Sequence, residues 1–190
     1  MVRLARRARR RMRRLLRDRR AVSAVEFALV FPLMLMIYLG GSEVGNGLSI
    51  SREVSHVAST LGDLVGQCSS ISDADMSNIL AAAVYVIAPY ATTNLTIRLS
   101  GISTDSNSNA TVAWSDEYQT TKLTTGASYT LPTALRTASS FYVAAEVHYS
   151  YKPYIGYVIT GTYDIKNTVY FAPRDSTSIT RTTSTTSCNS

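Results

Sequence analysis

The feature that most constrains this chain is an apolar run near its start. From Ala21 to Ser42, 22 residues, the only charge is Glu26. A helix needs about 20 apolar residues to cross the hydrocarbon core of a bilayer. A soluble helix of this length carries a polar face, and this one has none from Phe27 to Leu39. The run predicts a membrane-spanning helix over 22–42, with Pro32 as an internal kink position. A secretory signal peptide is the competing reading, but it needs a shorter apolar core and a better cleavage site than Gly40-Gly41-Ser42.

Charge sets the orientation. The net charge of +6 is unevenly placed: residues 1–20 hold eleven Arg against one Asp, and the other 170 residues hold eight basic against twelve acidic side chains. The block resists translocation, so Arg13, Arg14, Arg17, Arg19 and Arg20 read as a cytoplasmic topology anchor. Everything after residue 42 is then expected outside. A nucleic-acid surface is not expected, because the block lacks interleaved aromatics and abuts the apolar run.

Glu26 is the most informative residue. An acid inside a membrane helix costs on the order of 2.5–3.5 kcal/mol, and such residues are usually paired or functional. A position near the cytoplasmic interface would explain Glu26 alone. Its neighbours add more: Arg19-Arg20-Ala21-Val22-Ser23-Ala24-Val25-Glu26-Phe27-Ala28-Leu29 resembles a class III prepilin processing site. More closely, the chain resembles the TadE-like pseudopilins of the Tad/Flp tight-adherence pilus machinery. Asp63-Leu64-Val65-Gly66-Gln67, Pro89-Tyr90, Glu146-Val147-His148-Tyr149 and Ala172-Pro173-Arg174 extend the likeness with lower specificity.

The resemblance implies a non-enzymatic minor pseudopilin or membrane-anchored assembly factor of a bacterial envelope. It implies prepilin-peptidase cleavage between Ala21 and Val22, and an assembly role for Glu26 and Phe27, mature positions five and six. The implied partners are the bilayer, the prepilin peptidase, other pseudopilins or the major pilin, and the Tad inner-membrane platform. The implied place is the inner membrane, in a single pass, with the N-terminus cytoplasmic and the C-terminal domain periplasmic. Ala21 stands where the family usually has Gly, so two fates stay open: processing into a fibre-associated subunit, or retention with the Arg anchor in place. The rival from another class is a membrane-tethered binding or adhesion module unrelated to pili, for which neither a cut at Ala21 nor a charge at Glu26 is needed.

Beyond the membrane run the chain reads as α+β and pilin-like, with a helical stem followed by a mainly antiparallel β domain over 43–175. Apolar residues from Leu48 to Val65 suit a helix at about 48–67. The Gly40–Gly47 cluster reads equally as a packing notch or a flexible exit. Ser72-Asp73-Ala74-Asp75 caps a second helix at about 73–88, before Pro89. Strands are expected over about 94–171, where Leu95, Ile97 and Leu99 alternate with polar residues. The turn Asp105-Ser106-Asn107-Ser108-Asn109 resembles half of a Ca²⁺ loop, but Ala110 occupies the glycine position, and a plain hairpin is preferred. Seven of the twelve Tyr fall between 142 and 170, which suits half-buried strands or a partner surface.

Residues 176–190 form a Ser/Thr-rich tail. Cys68 and Cys188 would both lie where disulfides persist, so they read as one intramolecular bridge or as two thiols paired elsewhere. No G-x-S-x-G, H-E-x-x-H or phosphate-cradling loop is present, and the two His are 92 positions apart. No enzymatic activity, cofactor or metal is expected.

Overall fold

A computed structural model describes residues 19–153, 156, 160–183 and 188; the side chains of 19–21 are not among the described parts. Helix α1 runs unbroken over Arg19–Gly66, 48 residues. Strand β1 is Ser70–Ser72, helix α2 is Asp73–Val86, and strands β2 to β6 are Leu95–Thr104, Ala110–Tyr118, Phe141–Tyr151, Tyr163–Phe171 and Thr180–Thr182. The long apolar helix followed by an antiparallel sheet makes the chain α+β, as the sequence implies. The glycines at the end of the apolar run do not break α1.

The chain forms two compact units. The first comprises Met1–Gly45 with Tyr154–Thr160, and the second comprises Asn46–Pro153 with Gly161–Ser190. In the second unit, β3-β2-β4-β5 form a four-stranded antiparallel sheet, while β1 and β6 pair in parallel.

Period-two patterning explains the main core. Leu95, Ile97 and Leu99 on β2 and Val143, Ala145 and Val147 on β4 are fully buried on one face. Against them lie Ile50, Val54, Val57, Leu61 and Val65 of α1, with Met76, Ala83 and Ile87 from the α2 region. Those α1 residues recur every three or four positions, so one helical face is apolar. Each fully buried large side chain contributes about 1.5–3 kcal/mol of transfer energy.

Two glycines permit close approach. A Cβ at Gly62 would collide with the Phe171 ring, and one at Gly101 would collide with Trp114 and Phe141. Beside Gly101 the β2–β3 register shifts by one residue, so Gly101 faces Trp114 while Ile102 faces Val112. The extra residue, Ala113, lets Trp114 join the helix-side core while Val112 turns to the other face. There Ile102, Val112, Ala144 and Leu131 form a second, smaller cluster. The 119–138 connection reaches it by pairing with the β3 edge, where Tyr129 N–H donates to Ala110 O (2.9 Å) and Val112 N–H to Ala127 O (2.9 Å).

The ends of the elements are satisfied locally. The Ser72 hydroxyl accepts from Asp75 N–H at 3.1 Å, and the Asp75 carboxylate accepts from Ser72 N–H at 3.1 Å, a complete capping box for α2. These contacts, led by the Ser72 hydroxyl, lower the Asp75 carboxyl pKa. The carboxylate of Asp105 organises the β2–β3 turn by accepting from Asn107 N–H and Asn109 N–H, both at 2.8 Å, and from the Asn109 amide at 2.9 Å. Its pKa is lowered chiefly by Asn109. The Asp-x-Asn-x-Asn spacing is thus accounted for as hairpin geometry.

Candidate functional site

The first half of α1 is apolar and uncovered. Val22, Val25, Phe27, Leu29, Leu33, Met36, Ile37 and Tyr38 are all exposed, Leu29 by 75%. The helix is long and apolar enough to cross a membrane, and none of its most apolar window is buried within the chain. Left in water, so many exposed side chains would forgo about 1.5–3 kcal/mol each. Such a surface marks contact with lipid or with other protein.

Most of the candidate site residues fall on this one helix. Val22 and Glu26 are four residues apart and therefore neighbours on one side of α1. Glu26 is exposed in this single chain. Phe27 stacks at a tilt against Phe31, with ring centroids 5.3 Å apart. Pro32 lies inside the helix, where it has no N–H to offer the Ala28 carbonyl. Arg19, Arg20 and Ala21 belong to the first turns of α1, while Arg13, Arg14 and Arg17 lie outside the described residues.

One functional candidate escaped sequence reasoning. Glu43 directly follows the apolar run and is only 3% exposed. Its Oε1 accepts from Gly156 N–H at 2.7 Å, across 113 positions of sequence. Burying a carboxylate is costly unless it is hydrogen-bonded, so this contact is structurally significant. The available signal was a charge abutting an apolar run; its partner is a backbone amide, which no sequence pattern displays.

A second constellation fastens the tail. Cys68, after α1, and Cys188 are joined as a disulfide, with Cα atoms 4.9 Å apart. Trp114 Nε1–H donates to Ile179 O at 2.7 Å, and Ile179 is buried. The Arg181 guanidinium holds Asp116 in a bidentate pair (2.8 and 2.9 Å), donates to Asp73 at 2.8 Å, and donates to the Ile71 carbonyl at 2.9 Å. These carboxylates, Asp116 foremost, raise the Arg181 pKa further. Arg181 thereby ties β6 to β1, to the start of α2 and to β3. At the C-terminal end of α1, Arg174 pairs with Asp63, and Arg174 N–H caps the Gly66 carbonyl at 2.9 Å.

An open cleft of about 480 Å³ beside Arg181 is lined by Trp114, Asp116, Lys122 and Thr182. On the far face of the sheet, Glu146 takes Arg98 at 2.9 Å and the Tyr129 hydroxyl at 2.7 Å. Burial, then Tyr170 and Glu146, pushes the Tyr129 phenol far above its ordinary pKa. Among the described residues, no three His, Cys, Asp or Glu side chains converge as metal ligands.

No curated protein matches the chain, and no solved structure does. One family model does, over residues 21–61, which takes in Ala21, Val22, Glu26, the apolar run and the buried face of α1 as far as Leu61. That family is described as TadE-like protein, and over residues 21–61 the chain is similar to it.

Proposed function

We propose that this protein is a non-enzymatic minor pseudopilin or membrane-anchored assembly factor in the biogenesis of a Tad/Flp-type pilus, serving surface adherence. The observation that carries the reading is that the TadE-like match begins at Ala21 and contains Glu26 within the exposed apolar helix. In this reading α1 crosses the inner membrane between Val22 and Ser42, with the Arg block cytoplasmic and the α+β unit periplasmic. The prepilin peptidase cuts after Ala21. The helices of other pseudopilins or the major pilin pack alongside α1, and the Tad platform handles the assembly.

Glu26 supplies the register. Cleavage exposes a positive α-amine at Val22, one helical turn from Glu26. When subunits pack side by side in lipid, the carboxylate of one neutralises the amine of its neighbour. Removing one partner of a buried ion pair costs about 3–5 kcal/mol, because the other charge is left unmatched. Glu26→Ala is therefore expected to leave processing intact while surface pili and adherence fall sharply. Normal piliation by that variant would sink the assembly role. N-terminal sequencing of membrane-purified protein separates the two fates: a start at Val22 means processing, and a start at Met1 or Val2 means retention.

A further inference from the structure

The open cleft beside Arg181 has the size of a small-molecule site. Its volume is about 480 Å³, within the roughly 300–1,000 Å³ that ligand sites span. Trp114 and Asp116 line it from β3, Lys122 and Thr125 from the connection that follows, Arg181 from β6 and Asp73 from the start of α2. All of these residues lie in the second compact unit, away from the apolar half of α1.

The walls are held in place before any ligand arrives. The Trp114 ring is fixed by its Nε1–H bond to Ile179 O at 2.7 Å. The Arg181 guanidinium is held by Asp116 and Asp73. The connection after β3 is anchored twice: Leu123 N–H donates to the Ser115 hydroxyl at 3.1 Å, and Gly126 N–H donates to the Val112 carbonyl at 2.8 Å. A site that is already ordered loses less freedom on being filled, which favours binding.

Charge and hydrogen-bonding capacity select the ligand. Asp73 and Asp116 balance Lys122 and Arg181, so the lining carries no net formal charge. An anion is poorly served, because Arg181 is already engaged by both carboxylates and by the Ile71 carbonyl. A wholly apolar ligand would strip water from these groups without replacing its hydrogen bonds. What matches is an uncharged molecule dense in hydroxyls. Each hydroxyl both donates and accepts. It can give to the carboxylates, accept from the Lys122 ammonium, and do either with Thr124 and Thr125. Trp114 and Leu123 add apolar lining. We propose that this cleft binds an uncharged saccharide, with Asp73, Asp116 and Lys122 as the hydrogen-bonding groups and Trp114 and Leu123 against the C–H face of the ring. The site stands or falls apart from the pilus reading, which bears only on the source: N-acetylated sugars of a wall glycan, or plain hexoses of a surface polysaccharide.

The test uses the full chain in phosphatidylcholine nanodiscs, which carry no sugar headgroup to compete. Saturation-transfer NMR reads binding of two trisaccharides, triacetylchitotriose and maltotriose. The expected result is saturable transfer to at least one of them. Tighter binding of triacetylchitotriose supports the site with a wall glycan as source, and tighter binding of maltotriose supports it with a surface polysaccharide. Lys122 and Thr125 are both exposed, so their substitution should leave near-UV circular dichroism and the thermal midpoint at wild-type values. Lys122→Ala should weaken affinity about tenfold or more, because hydrogen bonds to charged groups are the stronger ones. Thr125→Trp, which fills the cleft, should abolish transfer. Absence of transfer to both trisaccharides overturns the saccharide site. Transfer that neither substitution weakens puts the sugar elsewhere on the protein and overturns the cleft as its site.

Discussion

Helix α1 contains two stretches of similar residues in opposite circumstances. Over Val22–Tyr38 its large apolar side chains are exposed on every side; over Ile50–Val65 they are confined to one face and buried against the sheet. Ser51, Arg52, Glu53, Ser59 and Asp63 occupy the other side of the second stretch, and the first has no equivalent after Glu26. One continuous helix thus carries a pattern suited to lipid and a pattern suited to a water-bounded core. Leucine is common to both, and what differs is the presence of a polar face.

A matched pair of leucines gives the sharpest way to break this contrast. Leu61 is 1% exposed and Leu33 is 55% exposed. Leu61→Ala is expected to cost the folded unit about 2–5 kcal/mol, through lost transfer energy and the cavity left behind. Leu33→Ala is expected to stay within about 0.5 kcal/mol on the same measurement. Thermal unfolding of the full chain in detergent, followed by near-UV circular dichroism, reads both. Equal losses would mean that the first stretch is also packed within the protein.

The buried half depends on the fastened tail. Opening the Cys68–Cys188 link by Cys188→Ser is expected to cost about 2–4 kcal/mol, since it releases a loop of 120 residues in the unfolded chain. Urea titration of oxidised wild type against the variant measures it. An unchanged midpoint would show that Arg181 and the β1–β6 pairing hold the tail alone. Gly101→Ala comes next, at about 1–3 kcal/mol, because a methyl group there must displace Trp114 and Phe141. A shift in Trp114 fluorescence should accompany the lower melting point.

The smallest expected effect is acid sensitivity confined to the folded unit. Asp75 and Asp105 have lowered pKa values in the folded chain. Their contribution is fully present above the ordinary aspartate pKa near 3.8 and is lost as pH falls through the lowered folded values. Urea midpoints should therefore decline below about pH 4, and Asp75→Asn with Asp105→Asn should flatten that decline. A decline of the same size in the double variant would assign it to other carboxylates.

How far the sequence reveals all this depends on the range of the interactions. The exposed stretch of α1 is legible because its composition alone rules out water on every side. The α+β class is legible because Leu95, Ile97 and Leu99 alternate, and because Ser72 and Asp75 lie three apart at a helix start. Both are local signals. The β1–β6 pair is hidden: Ser70-Ile71-Ser72 and Thr180-Arg181-Thr182 are too short to show a period, and they meet only through long-range pairing of Ser70 with Thr180. Arg181 looks like any tail arginine until Asp73 and Asp116 are brought around it. The register shift at Ala113 is likewise settled by what Trp114 and Val112 must each pack against. Glu43 combines both cases, since its position after the apolar run is visible and its partner is a distant amide.

The central claim is that Val22–Ser42 crosses the inner membrane and leaves the α+β unit outside, and the lysines test it most directly. All three lysines of the chain, Lys122, Lys152 and Lys166, follow the apolar run and are exposed. A membrane-impermeant amine reagent applied to intact spheroplasts, with modified residues mapped by mass spectrometry, reads which side they occupy. The account predicts modification of all three in intact spheroplasts at the level seen after lysis. Modification only after the membrane is permeabilised would contradict it.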